Sequence, residues 1–169
     1  YILFTANDPK TKLDVWVLPL FGDQKPFAYL QTDAGERNAR FSPDGRWVAY
    51  CSDESGTLQV YVQTLPTLGG KQMISSAGGY FLAWRRDGKE LFYGSLDRKM
   101  MAVDIEEEGT TLKIGQPKPL FDVHTPSNVA VAQFAVTADG QKFLMAKPVV
   151  ENTAAPIAVV LNWTADLKR

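Results

Sequence analysis

Short apolar runs rich in Val, Tyr, Trp and Phe recur along the chain, separated by Gly, Asp, Ser and Pro. Trp47-Val48-Ala49-Tyr50-Cys51, Leu58-Gln59-Val60-Tyr61-Val62, Leu91-Phe92-Tyr93, Met100–Ile105 and Phe143-Leu144-Met145 are the clearest of them. Their length and β-branched or aromatic content predict strands, and no stretch sustains the helical period. Three Asp-Gly pairs, Asp44-Gly45, Asp87-Gly88 and Asp139-Gly140, each stand between two such runs, at spacings of 43 and 52 residues. An apolar residue sits three before each Asp, and an apolar run begins three or four after it. Ser42-Pro43-Asp44-Gly45 suits a type I turn, with Pro presetting φ and Gly taking the left-handed place that closes a hairpin. Arg85-Arg86 and Thr137-Ala138 replace Ser42-Pro43 in the other copies, so there Asp-Gly must carry the turn. A third strand follows each of the first two hairpins, and a weaker fourth run, Gln72-Met73-Ile74-Ser75, leads into the next copy.

Four short strands per forty-odd residues is the period of a β-propeller blade. The expected fold is all-β, a β-propeller segment of about four consecutive four-stranded blades, near 1–33, 34–76, 77–123 and 124–169. The terminal blades are incomplete. Tyr1–Thr5 and Leu13–Val17 fall at second- and third-strand phase, so the first unit lacks its innermost strand. The last unit reaches its third strand at Pro156–Trp163 and lacks its outermost. Gly109 and Gly115, with the acidic Glu106-Glu107-Glu108, predict a longer surface loop in the third unit.

The run Phe41-Ser42-Pro43-Asp44-Gly45 before Trp47-Val48-Ala49-Tyr50, with Asp14-Val15-Trp16-Val17 at third-strand phase, resembles the WD-like, TolB-type propeller repeat of bacteria. Asp14–Leu20, Ala39–Pro66 and Val159–Thr164 further resemble the C-terminal propellers of acidobacterial serine/threonine protein kinases. That resemblance implies the sensing or docking end of a receptor-type kinase, in an extracytoplasmic, periplasmic setting. None of the kinase's own motifs is present, neither a Gly-rich loop nor His-Arg-Asp nor Asp-Phe-Gly. The alternative is the gating propeller of a prolyl-oligopeptidase-like peptidase, whose separate hydrolase domain would carry the triad. The chain opens on Tyr1 rather than Met, as expected of a segment cut from a longer protein.

Composition narrows the function. Eighteen basic against 19 acidic residues, formal net charge −1, give no global field for nucleic acid, so none is expected as a partner. The longest apolar run, Ile157–Leu161, is too short for a membrane span. Cys51 lies inside an apolar run and reads as a small buried hydrophobe. His124, the sole histidine, follows a strand at a loop position, and no nucleophile elbow accompanies it. No phosphate-cradling Gly-rich motif exists, so neither catalysis nor a cofactor is expected of this segment. Asp53 and Glu54 are paired carboxylates but too few oxygens for calcium, so no metal is expected.

A protein or small-molecule ligand is the expected partner. The loops between second and third strands and those entering each inner strand open on one face. They would gather Asn7, Asp8, Arg37, Asn38, Asp53, Glu54, Tyr80 and Asn128, either as a ligand rim or as ordinary polar loops. The open ends predict a homo-oligomer: two copies, about eight blades, closing a ring with Trp163 and Tyr1–Phe4 near the joints. A four-bladed monomer is the competing outcome.

Overall fold

The computed structural model describes residues 1–66, 69–123 and 134–145. His124, Asn128 and the Pro156–Trp163 run lie outside the described residues. The described chain holds strands and turns without a helix. Strands β1 (Ile2–Asp8), β2 (Lys12–Leu18) and β3 (Phe27–Leu30) form the first sheet, in that order. The second is β4 (Glu36–Phe41), β5 (Trp47–Ser52), β6 (Gln59–Thr64) and β7 (Gln72–Met73). The third runs β8 (Tyr80–Trp84), β9 (Glu90–Gly94) and β10 (Lys99–Glu108). The hairpin β13 (Phe134–Val136) and β14 (Phe143–Met145) follows. Every pairing is antiparallel and sequential neighbours pair first, as a meander requires.

The three Asp-Gly turns are superimposable in their hydrogen bonds. Gly45 N donates to Ser42 O at 2.9 Å, Gly88 N to Arg85 O at 3.0 Å and Gly140 N to Thr137 O at 2.9 Å. All three glycines have φ 74°. The turn therefore survives where Pro is missing, because the left-handed Gly closes it. Ser42 Oγ and Thr137 Oγ1 accept from Trp47 N and Lys142 N, each at 3.0 Å, while Arg85 instead braces Asp87 through two nitrogens at 2.8 and 2.9 Å. A Cβ at Gly45 would meet nothing within 4 Å, so a substitution there probes backbone strain alone. Gly45→Val is expected to lose about 1–2 kcal/mol in urea unfolding, and an unchanged midpoint would contradict the left-handed turn.

The third unit departs from the expected loop. Residues 106–115 are not a loop but a ribbon: β10 runs on to Glu108 and turns back as β11 (Thr111–Ile114), pairing Ile105 with Ile114 and Glu108 with Thr111. The first half of β10 keeps the outer position for β12 (Lys118–Asp122), which gives this sheet a fifth strand. Ile105 and Leu112 are buried, so alternating apolar side chains hold the acidic ribbon down.

Strand alternation builds the core between sheets. From β5, Val48 and Tyr50 face the first sheet with Val15, Val17, Tyr29 and Leu30. Trp47, Ala49 and Cys51 face the third with Leu82, Leu91, Tyr93 and Val103. Phe92 and Met100 continue the pattern towards Phe134, Val136, Phe143 and Met145. The second and third sheets are thus buried on both faces by their neighbours, as stacked repeats require.

Candidate functional site

The loop face expected to gather a ligand rim is built mostly of self-contained turns. Asp8 Oδ1 accepts from Lys10 N at 2.8 Å and Thr11 N at 3.3 Å in the β1–β2 turn, and these bonds hold its carboxyl below the usual range. Asn7, beside it, pairs with Leu13 in the ladder. Asp53 Oδ1 accepts from Gly35 N at 2.9 Å, and its Oδ2 lies 3.7 Å from Arg37 Nη2. Glu54 pairs with Lys71, whose ammonium sits 4.9 Å from the Tyr61 ring centroid. The structure thus joins Arg37 to Asp53, while among the described residues no hydrogen bond or ion pair links Asn7 or Asp8 to them.

Asn38 and Tyr80 mark a repeated backbone feature. Register slips between Arg37 and Arg40 in β4, and between Tyr80 and Leu82 in β8. Asn38 (φ 57°) and Phe81 (φ 47°), 43 residues apart, take the left-handed conformation at these bulges. Burial pushes the neighbouring Cys51 thiol up to about 12, with Arg37 and Asn38 opposing the shift. Such a thiol stays protonated and inert at neutral pH.

Sequence reading assigned no role to Asp14 and Glu36, and both are buried. Asp14 Oδ2 accepts from Thr11 Oγ1 at 2.8 Å and Gln31 Nε2 at 3.0 Å, and Thr32 donates to Glu36. Asp14 Oδ1 and Glu36 Oε2 have no hydrogen-bond partner among the described residues. Desolvation, then the nearby Asp14 charge, raises the Glu36 carboxyl despite the Thr32 bond. Among the described residues no cluster of three metal-ligating side chains forms.

A groove of about 1060 Å³ opens on the opposite face, between the second and third sheets. One wall is the pair of Asp-Gly turns, with Pro43, Trp84, Arg86 and Lys89; the other is the Asp104–Glu108 stretch of the ribbon, over Trp47 and Leu112. The ribbon is pinned across the groove by Arg46 to Glu107 and by Gln72 Nε2 donating to Leu112 O at 2.9 Å. Arg46 and Arg85 are spent on Asp44, Glu107, Asp87 and Glu90. Arg86 and Lys89 are exposed cations that form no salt bridge among the described residues, although the Lys89 charge helps hold the Asp87 carboxyl low. The Trp47 indole N–H is buried and finds no acceptor among the described residues.

No family model matches the sequence. No curated protein does either. Solved structures do match. A protein described as TolB from Agrobacterium tumefaciens superimposes with TM-score 0.57 at 18% identity, over 71% of this chain and 44% of that one. TolB from Acinetobacter baumannii gives 0.55 at 18%, over 89% and 48%. A protein assigned as a 6-phosphogluconolactonase from Bacteroides uniformis gives 0.53 at 21%, over 86% and 44%. The fold is a TolB-type β-propeller segment. At these identities the likeness speaks for the fold alone. The segment spans a little under half the length of each of these structures.

Within a propeller segment the groove is an inter-blade opening at the end where first strands turn into second strands. Sequence reading missed it because its walls come from turns 43 residues apart and from a ribbon read as a loop. The spacing of the two Asp-Gly turns was the available signal, since turns at equal phase on adjacent blades lie side by side.

Proposed function

We propose that this propeller segment is a non-catalytic recognition module whose inter-blade groove takes an extended, acidic segment of a partner protein. The observation that carries this reading is the placing of two exposed cations that form no salt bridge among the described residues, Arg86 and Lys89, with the half-buried Trp84 on one wall of the groove. Acidic side chains of a partner would meet the cations, and a flanking apolar residue would lie on Trp84 and Pro43. Glu106–Glu108 on the ribbon would repel the same acids and so fix which way the segment lies. In a receptor-type kinase, which the repeat sequence resembles, such a module would form the extracytoplasmic sensing end.

Peptide display tests the reading. Peptides selected on the folded chain should be rich in Asp and Glu beside an aromatic or aliphatic residue. Arg86→Glu combined with Lys89→Glu, both exposed, should weaken them by about tenfold or more and reduce the salt dependence of binding. No enrichment, or peptides that bind this double variant equally well, would overturn it.

A further inference from the structure

The ribbon wall of the groove is an open sheet edge. β9 pairs with β10 only as far as Asp104 opposite Glu90, and Ile105 N donates the last bond, to Lys89 O at 2.9 Å. Lys89 N turns back to Asp87 Oδ1 at 3.1 Å, so the chain leaves the ladder there while β10 runs on to Glu108. The ribbon's own bonds use the other edge. Glu108 pairs with Thr111 across a two-residue turn, and Gly115 N donates to Asp104 O at 2.9 Å. Backbone groups alternate in direction along a strand, so Asp104, Glu106 and Glu108 bond towards β11. Ile105 and Glu107 direct theirs the opposite way, into the groove that both residues line. Past the Ile105 bond no strand pairs with that edge among the described residues. Ile105 C=O and Glu107 N–H and C=O are thus left facing a slot.

A blade added at either end of the segment would stack on the first sheet or beyond the β13–β14 hairpin, and so would not cover a slot between the second and third sheets. The charges around the slot select what enters. At the Ile105 end stand Lys89 and Arg86, and along the edge stand three glutamates, which discourage indiscriminate strand pairing. β11 shows what those glutamates accept: Lys113 stands opposite Glu106 and pairs with it at 2.8 Å. Residues 124–133 hold no acid and 146–169 only Glu151 and Asp166, so neither stretch supplies the acidic end that Lys89 and Arg86 call for. The occupant is therefore another protein's segment.

We propose that the partner's extended segment binds by strand addition, taking the line β9 would have followed past Lys89 and pairing its backbone with Ile105 and Glu107. Its acidic residues lie at the Lys89 and Arg86 end, and a lysine, arginine or threonine stands opposite Glu106 or Glu108. Main-chain bonds hold the segment in register, and the opposite charges at its two ends set its direction. Strand addition rests on the groove being the partner site, as proposed above, and adds how the partner is held there.

The probe is the tightest-binding peptide selected by display on the folded chain. N-methylation of its backbone, one amide at a time, should alternate in effect. Methyl groups on amides that face the ribbon should weaken binding by about tenfold or more, and those on the intervening amides by less than about twofold. Amide exchange of the complex should show the Glu107 N–H protected. Glu107→Pro removes that N–H without touching the β11 bonds, whereas Glu107→Ala removes only the side chain, so the proline variant should bind about tenfold more weakly than the alanine one. If Glu107→Pro melts the ribbon, seen as lost protection of the Glu106 and Glu108 amides, methylation and Glu107 exchange decide the matter. A peptide that is weakened by Arg86→Glu with Lys89→Glu, yet shows neither the alternation nor Glu107 protection, would overturn strand addition and leave the groove as the partner site. If display yields no binding peptide, both fall.

Discussion

Tyr50→Ala should lose about 3–5 kcal/mol of folding stability, seen as a fall in the urea midpoint at unchanged slope. Tyr50 is buried between the first and second sheets among Val15, Val17, Tyr29 and Leu30, and stacks on Tyr61 across the β5–β6 ladder. Its hydroxyl reaches Gln63 Oε1 at 3.4 Å. Truncation removes the aromatic burial and leaves a cavity whose walls are hydrogen-bonded strands. Such walls collapse less readily than a loop would, so the loss belongs to the upper part of the range for large-to-small changes. Against a total of about 5–15 kcal/mol for an ordinary domain, this would bring the segment near unfolding. Cys51→Ala, one residue on and facing the third sheet, removes a single small buried group and should lose about 1 kcal/mol. A Tyr50→Ala loss no larger than that of Cys51→Ala would mean that Tyr50 does not fill the seam between two blades.

The blade architecture was legible because two independent local signals agree. Asp44-Gly45, Asp87-Gly88 and Asp139-Gly140 fix the turn, and the alternation of β5 and β9 fixes which residues face which neighbour. Local agreement of turn chemistry and pattern is what makes a repeat readable. The ribbon was not legible. Its acidic run Glu106–Glu108 has the composition of a solvated loop, and its hold on the second sheet depends on Leu112 and Gln72, 40 residues apart. The candidate rim was legible as a set of residues on one type of loop. Its internal bonding was not, because Asp53 is engaged by Gly35 N and Glu54 by Lys71, partners that sequence spacing does not announce. Asp14 and Glu36 were passed over for a related reason. A carboxylate in a strand is ordinarily placed outward, and here both are buried, near enough for the Asp14 charge to act on Glu36.

That buried pair supports the other large expectation: Glu36→Gln should stabilise the fold at neutral pH by about 1–3 kcal/mol. Glu36 is buried, Thr32 satisfies one of its oxygens, and the other has no donor among the described residues. Asp14, whose Oδ1 is equally unpartnered, and Glu54 add like charge, and Tyr50 shares the same environment. Desolvation is the largest cause, so the folded state raises the Glu36 carboxyl above its ordinary 4.5. The native state then takes up this proton at higher pH than the unfolded chain does. Between the raised value and 4.5 it holds more protons, so this group makes stability rise as pH falls and removes stability as pH climbs through the window. Above the window the full penalty of a desolvated, half-satisfied carboxylate is present, and below 4.5 both states are protonated and it vanishes. Asp44 and Asp87 are held below their ordinary value by Ser42 and Arg85 bonds and slope the opposite way, so raw pH profiles would mix the two effects. The difference between Glu36→Gln and wild type removes them, because the variant keeps both turns. Urea unfolding of both proteins across this range should show the variant's advantage shrinking towards acid pH and levelling off above the window. A variant that is less stable at neutral pH, or an advantage that does not change with pH, would mean that the carboxylate is satisfied and charged in the folded state.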